Sequence, residues 1–392
     1  MLLSLALIFL CGLFFGGLFQ KLKLPGLIGM LLSGVLLGPY ALNALDENIL
    51  NISADLRQTA LIVILLRAGL QLNIQDLKKV GRPALLMCFV PACFEIAGMM
   101  IFAPLLFGVS LLEAVILGTV VAAVSPAVVV PKMLHIMDSG YGKKKSIPQM
   151  IMAGASVDDV FVIVLFTVFT GLAKTGVVTP VSFFAIPTAI IFGLTGGFCM
   201  GIVLSFLFSK IHMRDSIKII AILSVAFLLI TAEHLFTGAI GFSGLLSVMA
   251  MGITLQHKKC EVSKRLSQKF SKLWTCFEIL LFVLVGASVN IPYISKAGIV
   301  AVVLILCVLI FRIVGVFMCL IHTHLNKKEK LFSAMAYVPK ATVQAAIGGL
   351  PLAMGLSCGS FVLAVSVLAI IITAPLGAIF IETTYTKLLT KE

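Results

Sequence analysis

About thirteen stretches of roughly 17 or more apolar residues run along the 392-residue chain, and each is long enough to cross a bilayer. Their approximate limits are 2–19, 26–42, 57–73, 83–107, 111–135, 148–171, 180–208, 217–234, 238–255, 270–290, 297–321, 331–356 and 359–381. In hydrocarbon a backbone must satisfy its own hydrogen bonds, and an α-helix does so within one segment. The pattern therefore predicts an all-α integral membrane protein with about 13 transmembrane helices. Only 11% of the residues are charged, against roughly 25% in a soluble domain. No stretch of soluble-domain size stands between the spans, so no soluble regulatory domain is expected.

The net charge of +13 would suit a nucleic-acid binder, but its distribution excludes that reading. With the N terminus placed outside, 23 of the 29 Lys and Arg residues fall on cytoplasmic loops. Outer loops hold three, Arg57, Lys174 and Lys296, and Arg67, Arg312 and Lys340 lie within spans. Cytoplasmic loops are expected to carry this excess, so the bias fixes the N terminus outside and the C terminus inside. The first span lacks a basic leader and is followed by Lys21 and Lys23, so it reads as a retained helix. The nine cysteines show no metal-binding spacing and read as core thiols.

Asp158 and Asp159 stand side by side about eleven residues into the otherwise uncharged stretch Ile147–Thr170, near the bilayer midplane. One ionisable group there costs about 2.5–3.5 kcal/mol on insertion scales, and two adjacent carboxylates cost more. Binding cations or protons explains such a pair; a protonated, hydrogen-bonded structural pair is the plainer alternative. Glu95 sits in the middle of 83–107 and Arg312 in the middle of 297–321. A lone buried Arg is costly, so Glu95–Arg312 is the expected salt bridge and core charge pair, with Arg312 facing Asp158 as the alternative. Glu233 and His234 end the span 217–234 and read as a solvated helix end.

Two spans carry helix-breaking residues in corresponding places. Span 111–135 contains Ser125-Pro126 and Pro131; span 331–356 contains Pro339-Lys340-Ala341-Thr342, Gly348-Gly349 and Pro351. Proline removes a backbone donor, and irregular backbone survives at membrane depth only where it lines protein or a cavity. Helices 1–6 and 8–13 start on opposite sides of the membrane. Matched interruptions in two such halves indicate inverted repeats and a transport site, with two crossed discontinuous helices.

The segments VVAAVSPAVVVPKM, YGKKKSIPQ, MAGASVDDVFVIVLF and YVPKATVQAAIGG resemble, in this order, those of the monovalent cation/proton antiporters. The resemblance is closest to the NHA-type branch of sodium/proton antiporters. It implies a homodimer in the cell membrane, with scaffold and dimer helices at about 1–80 and 217–290. Core ion-transport helices at about 83–171 and 297–381 and a linker helix at about 180–208 would complete the single transmembrane domain. It further implies that Asp159 is the essential carboxylate for sodium and protons, with Asp158 its partner. Ser156, three residues before Asp159 on one helix face, either completes a sodium shell or bonds back to its own helix. Ser125 stands where many relatives place an acidic residue, leaving charge balance at the helix breaks to Lys340 and the Asp pair. Arg312 stands where electrogenic relatives place Lys, so one-for-one exchange is expected.

The resulting expectation is a secondary active transporter, not an enzyme, exchanging sodium or lithium for protons by alternating access. Its partners are monovalent cations, protons, the lipid bilayer and a second copy of the chain; no cofactor is expected. Potassium/proton exchange on the same fold and sodium-coupled organic-anion symport are the alternatives that the residues leave open.

Overall fold

The computed structural model describes residues 1–22, 24–71, 81–175, 180–235 and 241–391, without the side chains of 156, 160, 174–175, 180–187, 234–235 and 292–297. The expectations for Lys23 and for the side chains of Ser156, Lys174, His234 and Lys296 lie outside the described residues. The described helices of the first half are α1 (Leu2–Lys21), α2 (Gly26–Leu37), α3 (Glu47–Asn51), α4 (Ser53–Gln71), α5 (Arg82–Met87), α6 (Val90–Phe107), α7 (Leu111–Val121), α8 (Pro126–Asp138) and α9 (Ile147–Thr175). Those of the second are α10 (Pro180–Lys210), α11 (Asp215–Leu235), α12 (Gly244–Lys258), α13 (Cys260–Ala287), α14 (Ile291–Cys319), α15 (Lys327–Ala336), α16 (Thr342–Ile347), α17 (Leu350–Ala353) and α18 (Gly359–Leu388).

The fold is all-helical among the described residues, and each expected span meets a helix or a chain of short helices. Nine of these stretches are long and apolar enough to cross a membrane, and Gly26–Leu37 and Thr342–Ala353 are shorter apolar helices. Two expected spans fall outside both groups for visible reasons. Helix α4 carries Asp55, Arg57 and Arg67, and α12 has only 15 residues and ends in Gln256, His257 and Lys258. Arg57, expected on an outer loop, is buried on α4 with its Nε donating to the Ser53 carbonyl.

Burial separates lining helices from central ones. In the most apolar 18 residues of Leu111–Asp138, 78% of the residues are buried, against 22% in Leu2–Lys21, which turns Leu3, Leu10, Leu13 and Phe14 outward. Such an apolar exterior suits lipid, and the interrupted stretch belongs to the interior.

The described chain divides into two compact units. The first comprises 1–57, 75–162 and 279–392, and contains the Asp pair and both interrupted stretches. Part of its interior is a cluster that includes Met87, Val124, Met133, Ile151, Ala155, Phe332, Tyr337 and Ile381. Elsewhere in this unit, α2 and the end of α13 approach backbone to backbone: a Cβ on Gly34 would meet the Val283 carbonyl. Small residues permit such contact between membrane helices. Gly34→Leu is expected to lower thermal stability in detergent by about 1–3 kcal/mol through overpacking; an unchanged melting curve would contradict the close approach.

The second unit comprises 58–74 and 163–278. There α10 packs along α12. Glu233, expected as a solvated helix end, instead accepts a hydrogen bond from the Gly244 N–H at 2.9 Å, at the start of α12. An acid at a helix N terminus offsets the positive end of its dipole.

Candidate ion-binding site

Pro126 at the first turn of α8 cannot continue the hydrogen-bond ladder of α7, and Ser125 before it is extended (φ −87°, ψ 109°). Four residues, Ala122 to Ser125, thus separate two half-helices of one crossing. In the second half of the chain, α15 ends at Ala336 and α16 begins at Thr342, with Pro339 between them. The two breaks meet directly: the Ser125 N–H donates to the Pro339 carbonyl at 2.8 Å.

A helix that stops inside a membrane leaves carbonyls without partners, and its end carries a partial negative charge. Here side chains from the second half of the chain serve these carbonyls. Val121 O, at the end of α7, accepts from Lys340 Nζ at 2.7 Å and from Gln344 Nε2 at 3.1 Å. Ala123 O accepts from Gln344 Nε2 at 2.9 Å. Arg312 donates from Nη1 to Ala122 O and from Nε to Tyr337 O at 2.8 Å, joining the ends of both interrupted helices.

The same cations hold the acids. Arg312 Nη1 lies 2.9 Å from Glu95 Oε2, and Arg312 Nη2 lies 2.8 Å from Asp158 Oδ2. The sequence favoured Glu95 and kept Asp158 as the alternative; the planar guanidinium fork reaches both at once. Lys340 Nζ pairs with Glu95 Oε1 at 2.6 Å. Asp158 Oδ2 also accepts the Val124 N–H at 2.9 Å. Glu95, Asp158, Arg312 and Lys340 are each at most 1% exposed.

Two buried acids therefore face two buried cations, and Asp159 is the surplus charge. It is partly exposed, and it makes no hydrogen bond or ion pair with any described residue. Its Oδ1 is buried without a partner, as is Oδ1 of Asp158. Ser125 is 1% exposed with an unpartnered hydroxyl, and Ser156 lies on α9 with its side chain undescribed. Hard cations prefer oxygen ligands, so this constellation suits sodium or a proton.

Sequence reasoning missed Gln344 and Tyr337. Tyr337 places its ring under Arg312, 5.4 Å from the guanidinium carbon, and its hydroxyl donates to Met87 O. The only signal for Gln344 was an amide among small residues in the second interrupted span.

A multi-pass membrane protein with crossed interrupted helices and a lone mid-membrane carboxylate belongs to the class of ion transporters. The chain belongs to the sodium/hydrogen exchanger family, whose transmembrane model matches residues 5–387. It is 34% identical over 404 residues to sodium/hydrogen exchanger 9B2 of Mus musculus, covering 97% of this chain and 72% of that protein. Identity to sodium/hydrogen exchanger 9B1 of Homo sapiens is 31% over 416 residues, covering 100% of this chain and 78% of that protein. The solved structure of the sodium proton antiporter MjNhaP1 from Methanocaldococcus jannaschii has the same fold. Its TM-score is 0.85 at 19% identity, over 98% of this chain and 97% of that one.

Proposed function

We propose that this protein exchanges sodium for protons across a membrane, with Asp159 as the group that holds either ion. The supporting observation is the charge ledger of the site. Glu95 and Asp158 are matched by Arg312 and Lys340, so the buried network is neutral without Asp159. An empty, ionised Asp159 adds one uncompensated charge, and moving it through a low-dielectric region is costly. Either a proton or a monovalent cation removes that charge. The two compete for one carboxylate, and only the neutralised site changes the side to which it opens. Obligatory exchange and alternating access follow.

Lithium shares sodium's charge and oxygen preference and is a second substrate. The moving part comprises the core helices, about 83–171 and 297–381, and a scaffold of about 1–80 and 217–290 carries the dimer contact. The protein sits in the cell membrane with its N terminus outside. Sodium-driven dequenching of a pH dye in proteoliposomes, with Li⁺, Na⁺ and K⁺ in turn, tests the reading. Sodium and lithium are expected to drive proton flux; a response to potassium alone would make this a potassium/proton exchanger.

Exchange is one cation for one proton. A lysine facing an Asp pair can release its proton when sodium arrives, but guanidinium stays protonated in proteins. Arg312 therefore contributes no second proton, and Lys340, the lysine of this network, is engaged by Glu95 and the Val121 carbonyl rather than by the Asp pair. In potassium-loaded liposomes with valinomycin, the sodium/proton equilibrium point is expected to stay fixed as the imposed voltage changes. A point that moves with voltage contradicts the one-for-one ratio.

A further inference from the structure

Gln344 holds the interrupted helix α7 by its amide nitrogen and leaves its amide oxygen free. The nitrogen donates to two carbonyls, Val121 O at 3.1 Å and Ala123 O at 2.9 Å. Those two acceptors use both amide hydrogens and so assign which end of the group is nitrogen. Oε1 is left on the opposite side, on a fully buried residue, with no hydrogen-bond partner. A buried carbonyl in that state is costly unless something else binds it.

Three consecutive residues of the first break connect the Gln344 side chain, through its amide nitrogen, to the Asp pair. Ala123 takes the Gln344 amide, Val124 donates its N–H to Asp158, and Ser125 carries an unpartnered buried hydroxyl. Asp158 and Asp159 each add an unpartnered buried Oδ1. Thr342 on the second interrupted stretch adds an unpartnered hydroxyl, so the breaks and the Asp pair together hold five residues with an unpartnered buried oxygen, while Gln149 and Ser263 carry others elsewhere.

We propose that the Gln344 side-chain carbonyl is an oxygen ligand of the transported cation and helps set which monovalent ion is taken. The inference rests on the Asp159 reading above and deepens it. A neutral ligand suits the charge ledger, because it adds affinity for a cation without a charge that would need its own proton. Discrimination between ions of equal charge comes from ligand number and cavity size, which a fixed amide oxygen supplies.

The test is dye dequenching in proteoliposomes with Gln344→Met and Gln344→Asn, titrating Li⁺, Na⁺ and K⁺. The Met side chain has neither donor nor carbonyl, and Asn withdraws the oxygen by one methylene. Apparent KM for sodium is expected to rise about tenfold in each, with a changed lithium-to-sodium KM ratio and a largely kept maximal rate. A fall in maximal rate with unchanged KM ratios would mean that Gln344 only secures the end of α7, and would overturn the proposal. Wild-type exchange with unaltered variants also overturns it while leaving the Asp159 reading intact; a wild type inert to all three ions overturns both. Should neither variant fold, infrared spectra of wild-type protein carrying ¹³C-labelled glutamine decide the matter. A glutamine side-chain carbonyl band that shifts on adding sodium supports ligation, and an unmoved band overturns it.

Discussion

Asp159→Asn is expected to reduce sodium-driven proton exchange to the background of empty liposomes while the protein remains folded. The substitution keeps the shape of the side chain and removes both its charge and its titratable proton. Asp159 has no ion-pair partner among the described residues, so nothing is orphaned by the change. Neutralising an uncompensated carboxylate relieves a desolvation cost, and the melting temperature is expected to stay level or rise. Asp158→Asn differs in kind, because Asp158 accepts from Arg312 and from the Val124 N–H. It should cost stability and alter the pH dependence of exchange without removing the exchanged group. Substantial exchange by Asp159→Asn in the dye assay would place the cation elsewhere.

The second large effect concerns Arg312. Its guanidinium touches Glu95, Asp158 and the carbonyls of Ala122 and Tyr337, so its loss strands groups from both interrupted helices. Breaking a buried pair from one side costs about 3–5 kcal/mol, and Arg312→Gln is expected to lose stability in that range. Glu95→Gln should cost less, since Arg312 keeps Asp158 and Lys340 keeps the Val121 carbonyl. The double variant should lose less than the sum by about 1–3 kcal/mol, as expected for groups in contact. Thermal melts of the three variants supply the cycle, and simple additivity would contradict the bridge.

Much of this arrangement was legible in the sequence because membrane burial leaves little freedom. Apolar runs fix where helices lie, and proline fixes where they stop: Pro126 and Pro339 marked both breaks. The mid-span charges Glu95, Asp158, Asp159 and Arg312 stood out because each is costly in hydrocarbon. What the sequence withheld was rotation and reach. It did not give the direction of Arg312 about its helix axis, and one fork serves the two acids that looked like alternatives. Pro339 beside it placed Lys340 at a helix break and the family resemblance implied its charge-balancing role, but its tight pairing with Glu95 depends on how the two halves of the chain cross. Gln344 was missed because an uncharged amide carries only a weak hydropathy signal. Its importance depends on which carbonyls it meets, and those lie more than 200 residues away.

The central claim is that a cation and a proton exclude each other at one carboxylate. Isothermal titration of sodium into the purified protein measures this most directly, in buffers of different ionisation enthalpy and at several pH values. Linked binding is expected to release protons to the buffer, approaching about one per sodium bound where Asp159 starts protonated. Asp159→Asn is expected to show no sodium-linked release. Sodium binding to the wild type with no proton release at any pH would contradict the account.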